Sequence, residues 1–133
     1  MTTEEKIAWL ARYQQAVTEE RRLEKAIKAA KRRELAAREV LPEKAKGPQL
    51  LQKYQQELEA KIQQCEQIRQ EVEQAIAELP NATHRTVLLA RYVDGLDWWQ
   101  VANIAYISER WARAIHRTAL SKLRVPLSSA QQE

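Results

Sequence analysis

Phenylalanine is absent from these 133 residues, glycine occurs twice, proline four times and cysteine once. Without phenylalanine, a core must be built from Leu, Ile, Val, Ala and the four Trp, which suffices when helices pack along their length. So few glycines and prolines exclude a turn-rich sheet protein, and the abundance of Ala, Glu, Gln, Lys, Arg and Leu is the composition of long helices. Cys65 has no second cysteine to pair with, which removes any intramolecular disulfide and fits a reducing, cytoplasmic setting. No run of about 18 apolar residues is present, so no membrane span is expected. The opening MTTEEK is acidic, unlike a secretory leader. Two histidines and one cysteine, scattered along the chain, offer no metal-ligand spacing. A glycine-rich phosphate loop, a nucleophile elbow and a paired-carboxylate pattern are likewise missing. The expectation is therefore a non-enzymatic protein that needs no cofactor.

Charge is present and unevenly placed. The overall net of +4 combines a net of +6 over residues 21–38, −3 over residues 49–79 and +4 over residues 81–124. Two basic segments flanking an acidic one point to a polyanionic partner, although long helices also use such charges simply to stay solvated.

Periodicity divides the chain into helices. Thr2 and Glu5 stand in capping-box spacing ahead of a first helix whose apolar positions are Ile7, Leu10, Tyr13, Val17, Leu23, Ile27, Ala30, Ala37 and Leu41. Pro42 and Gly47-Pro48 should end it. A second helix carries Leu51, Tyr54, Leu58, Ile62, Cys65, Ile68, Val72, Ile76 and Leu79 at steps of three or four, close to a coiled-coil seam. The two fold back most simply as an antiparallel hairpin. Such a hairpin buries little apolar area alone, so a further surface is needed: the C-terminal helices, a partner, or a second copy of the chain in a homodimer.

Beyond Pro80 three short helices follow. Asn81 can cap one of roughly residues 82–93, with Gly95 suited to the left-handed position after it. Asp97, with Gln100 three residues on, caps the second near residues 98–104, and Ser108 caps a third that runs to about Leu123. Two helices joined by a short turn are the elements of a helix-turn-helix, in which the second helix enters the major groove of duplex DNA. On the last helix Ala112, Ile115, His116, Ala119, Leu120 and Leu123 share one face, and Arg110, Arg113, Ala114, Arg117 and Ser121 the other. Arginines so placed suit guanine edges or phosphates. Trp98 is expected to pack in the core, Trp99 against the hairpin, and Trp111 along its own helix. His116 reads as a packed histidine, and His84 has no evident partner.

Leu79-Pro80, Arg91-Tyr92, Asp94-Gly95-Leu96, Trp98, Val101-Ala102, Ile107-Ser108-Glu109-Arg110, His116, Ala119-Leu120 and Leu123 together resemble region four of bacterial sigma factors. The resemblance is closer still to phage-encoded sigma-like regulators that activate late genes. It covers about a third of the chain. It implies that Ser108 through Arg117 begin a recognition helix with Arg110 and Arg113 facing the groove, that Asp97 and Gln100 approach the DNA backbone, and that RNA polymerase is contacted. The DNA-binding set is thus Ser108, Glu109, Arg110, Trp111, Arg113, Ala114 and Arg117, with Asp97 and Gln100. One departure is Ala105-Tyr106, where the family commonly has Leu-Gly in the turn. A second is the lack of any segment resembling the domain with which sigma factors melt promoters, so binding without strand opening is expected.

The resulting expectation is an all-α protein: a hairpin over residues 1–79, a DNA-binding domain over 80–125 and a flexible tail over 126–133. Two other readings remain open at this point. One is a small DNA-packaging subunit of the terminase kind, and the other is a module whose helix-turn-helix binds protein.

Overall fold

The computed structural model describes residues 1–40 and 49–126. They form α1 (Thr3–Val40), α2 (Gln49–Ala77), α3 (Ala82–Leu88), a single π-helical turn (Leu89–Val93), α4 (Trp98–Ala105) and α5 (Glu109–Lys122). Among the described residues there is no strand, and no helix is long and apolar enough to cross a membrane. The break expected at Pro42 and Gly47-Pro48 and the tail expected beyond Pro126 lie outside the described residues.

Helix α1 starts as its first residues dictate. The Thr2 amide donates to the Glu5 carboxylate at 3.0 Å and the Glu5 amide donates to the Thr2 hydroxyl at 3.1 Å, so two amides that lack partners inside the helix are satisfied reciprocally. The chain then folds back as an antiparallel helical hairpin. Arg12 of α1 pairs with Glu71 of α2 at 3.1 Å, and Glu19, further along α1, pairs with Lys61, earlier in α2.

The chain divides into two compact units, Met1–Gln14 with Gln67–Glu133, and Gln15–Glu66. In the second unit Ala16, Ile27, Ala30 and Cys65 are buried. Ile62, expected in the seam, is instead 45% exposed. The seam drifts because steps of three and four do not keep strict register with 3.6 residues per turn. It runs through Leu58, Lys61 and Cys65 there, with Lys61 half-buried and bonded to Glu19.

The first unit holds most of the core: Trp9 and Leu10 from α1, Val72, Ala75 and Ile76 from α2, and Val87, Leu88, Val101, Ala102, Ala112, Ala119 and Leu120 from the shorter helices. Trp9, outside the predicted apolar stripe, is only 6% exposed and carries the Arg12 guanidinium over its ring at 4.7 Å. Small residues at the helix contacts (Ala90, Ala102, Ala112, Ala119) let the helices approach closely without phenylalanine-sized side chains.

Helix α3 ends differently from the single run expected through residue 93. It widens into the π turn, and the Asp94 amide closes on the Leu89 carbonyl at 3.0 Å. The carbonyls exposed by that widening need partners. Gln14 of α1 supplies them, its amide nitrogen donating to Val93 at 2.8 Å and to Tyr92 at 3.4 Å. Gly95 follows at φ +69°, and a Cβ there would come within 3.0 Å of the Gln14 side chain. The glycine is required twice, by its backbone angle and by that contact.

Candidate nucleic-acid interface

The turn between α4 and α5 sets the geometry of the interface. Asp97 and Gln100 close the expected capping box at the start of α4, the Asp97 amide donating to Gln100 Oε1 at 3.0 Å. At the other end Tyr106 takes the left-handed conformation, φ 58° and ψ 42°, which glycine adopts most readily. The Ile107 amide donates to the Ala102 carbonyl at 3.0 Å across this turn, the bond of a helix ended by a left-handed residue. The turn therefore keeps the glycine shape and bears the cost of a side chain in it, of order 1 kcal/mol. Tyr106 is 95% exposed and contributes no packing in return. Tyr106→Gly should accordingly raise stability by about 0.5–1 kcal/mol, part of the relief being offset by the greater freedom of glycine in the unfolded chain. Urea unfolding measures this, and an unchanged or lower midpoint would show that the tyrosine is held there by contacts.

Helix α5 opens on Ser108, whose hydroxyl accepts from the Trp111 amide at 3.1 Å. It presents one face to the core through Ala112, Ile115, Ala119 and Leu120. The opposite face carries Arg110, Arg113 and Arg117, all exposed, with Ala114 half-buried between them. At spacings of three and four the three guanidinium groups project from one side of the helix. Glu109 is exposed in the first turn. The side chains of Ser108, Asp97 and Gln100 are engaged in capping, which fixes both helix starts and leaves the arginines as the free polar groups on this face.

Trp99 and Trp111 depart from expectation. Trp99 was expected to pack on the hairpin and Trp111 along α5, yet they are 54% and 58% exposed. Each sits on a short helix whose buried stripe is already filled by Val101 and Ala102 on α4 and by Ala112 and Ile115 on α5. Trp98 does pack against that cluster.

Behind the arginine face lies a group that no sequence pattern disclosed. The Trp98 ring has the Arg91 guanidinium at 4.8 Å and the Arg113 guanidinium at 5.5 Å from its centroid, with His116 edge-on at 4.9 Å. Arg91 also donates to the Leu96 carbonyl at 2.9 Å. Tyr92 stacks on His116, and its hydroxyl lies 2.6 Å from Nε2. Arg113 is thus steadied by Trp98 from behind, a contact worth roughly 0.5–1 kcal/mol at an exposed site, while His116 ties α5 to the π turn. The five residues come from three segments, residues 91–92, Trp98 and residues 113–116, and only packing brings these together.

Burial is the main reason that His116 titrates low, at about 4, and the neighbouring Arg91 and Arg117 charges push the same way. The ring is neutral near pH 7, and its Nε2 shares a hydrogen bond with the Tyr92 hydroxyl. Because the folded value lies below the ordinary 6.5, stability carried by the neutral ring is complete above pH 6.5. It is lost as pH falls toward about 4. The expected loss attributable to this residue is on the order of 2–3 kcal/mol. Thermal melting from pH 7 to pH 4 should show a smaller acid-induced drop in a His116→Gln variant than in the parent. Equal drops would assign the acid sensitivity to the carboxylates.

The arrangement of α4, turn and α5 is that of a helix-turn-helix. Residues 67–125 match the family model described as Sigma-70, region 4, so this segment is similar to that family of helix-turn-helix domains. Searches of curated proteins and of solved structures found no match to the chain.

Proposed function

We propose that the chain is a sequence-specific regulator of transcription, encoded by a phage or prophage, that binds duplex DNA through α5 without opening it. The observation that carries this reading is the exposed face of Arg110, Arg113 and Arg117 on a helix capped at its start and anchored behind by Ala112, Ile115 and Leu120. Guanidinium groups spaced along one face of a helix can reach guanine edges in the major groove, with flanking groups held to phosphates. Asp97 and Gln100, at the start of α4, lie where the first helix of such a motif crosses the backbone. RNA polymerase is included as a partner on the strength of the same family resemblance. The regulator acts as a homodimer in this reading, supported by the exposed Leu35, Leu50 and Ile62 of the second unit and by the gain in specificity that two half-sites give. Sedimentation equilibrium at micromolar concentration tests the dimer, and a monomer that still binds its site tightly would remove it.

The test of DNA reading is Arg113→Ala. Affinity for the preferred duplex should fall by about 1–3 kcal/mol, with preference relaxed at one base position. A fall of equal size on a scrambled duplex would make Arg113 a phosphate contact, and no loss on either would take it out of the interface.

A further inference from the structure

The second unit carries a charge pattern that the helix-turn-helix does not use. On α1, Arg21, Lys25, Lys28 and Arg32 recur at steps of four, three and four, and all four are exposed. At 3.6 residues per turn they lie within an arc of about 60°, and at 1.5 Å per residue they extend over about 16 Å. The buried residues Ile27 and Ala30 face the other way, so the stripe is the outward side of the helix.

The stripe is a run of four like charges on one exposed face of the helix. Other cations of these helices form ion pairs, Arg12 with Glu71, Arg38 with Glu34, Lys61 with Glu19 and Arg69 with Glu73. Among the described residues, no ion pair involves Arg21, Lys25, Lys28 or Arg32, although Glu24 borders them in sequence. We propose that this face of α1 is a second DNA-binding surface, one that holds the phosphate backbone of duplex DNA without reading its sequence.

Duplex DNA is the occupant the chemistry favours. Duplex DNA carries one negative charge for about every 1.7 Å of helix axis over its two strands, so a stripe of about 16 Å can lie against at least as many phosphates as it has cations. An anionic membrane would be met differently, by a helix with an apolar face free to enter the lipid. Along the length of the stripe the apolar positions Ile27 and Ala30 are buried. The choice of DNA over another regular polyanion rests on the DNA-binding reading of α5, but the stripe and α5 are tested by different readouts.

The test uses the full chain and a variant with Arg21→Gln, Lys25→Gln, Lys28→Gln and Arg32→Gln, since glutamine keeps nearly the same helix propensity. Binding to a long scrambled duplex is measured across salt concentrations. Each phosphate neutralised contributes about 0.9 to the slope of log affinity against log salt, so the variant's slope should be shallower by about 3–4. Between about 50 and 200 mM salt, the variant should then lose on the order of 100-fold less affinity than the parent. The base preference found on the specific duplex should not change. The glutamine variant should keep the parental circular dichroism and melting, which excludes misfolding as the cause, and a second variant with Arg21→Lys and Arg32→Lys should keep the parental slope. Equal slopes for parent and glutamine variant overturn the proposal, as does a loss seen only on phosphatidylserine vesicles. Should the α5 reading fail instead, the parent would bind all duplexes alike and still show the slope difference.

Discussion

Leu120→Ala should lower the free energy of unfolding by about 2–5 kcal/mol, the range for removing a fully buried leucine and leaving a cavity. Leu120 is 1% exposed on the inner face of α5, and its carbonyl accepts from Lys6 Nζ of α1 at 2.8 Å. The side chain therefore fixes α5 in the core while the carbonyl ties it to the first turns of the chain. Domains of this size commonly have about 5–15 kcal/mol in total, so the variant should be visibly destabilised in urea and should lose DNA binding through unfolding. Leu35→Ala serves as its control: Leu35 is 60% exposed, and a change within about 0.5 kcal/mol is expected. A Leu120 variant as stable as the parent would mean that α5 is held by other contacts.

The second large effect falls on binding and leaves folding alone. Replacing Arg110, Arg113 and Arg117 together by alanine should reduce affinity for the preferred duplex by about 10²–10⁴-fold, taking 1–3 kcal/mol for each well-placed contact and some loss of additivity. All three are exposed, and alanine is the best helix former, so helix content should stay as it is. Among the described residues, the replacement gives up the Arg113 contact with Trp98 and the charge that Arg117 sets beside His116. Retained affinity in a folded triple variant would place the binding surface elsewhere on the chain.

Much of this was legible in the residues because the signals are local. Thr2 with Glu5, Asn81, Asp97 with Gln100, and Ser108 each mark a helix start by hydrogen bonds spanning three residues or fewer, and Gly95 marks a left-handed turn. The two faces of α5 follow from spacing alone. What escaped depends on contacts between distant segments. The burial of Trp9, the cover that Gln14 gives the π turn, and the gathering of Arg91, Tyr92, Trp98, Arg113 and His116 have no periodic signature. Trp99 and Trp111 misled for the opposite reason: large aromatic side chains bias a reading toward burial, while the stripes beneath them were already filled by Val101, Ala102, Ala112 and Ile115. Their exposure leaves two broad apolar surfaces on α4 and α5.

The most direct measurement is selection of bound duplexes from a random pool, followed by footprinting of the full-length protein on the winning sequence. The expected result is a single preferred motif, or two half-sites about one helical turn apart, protected in the major groove. Repeating the selection with Arg113→Ala should relax that motif at one position. A pool that emerges without any preferred sequence, or a footprint confined to the minor groove and indifferent to Arg110, Arg113 and Arg117, would contradict α5 as a recognition helix.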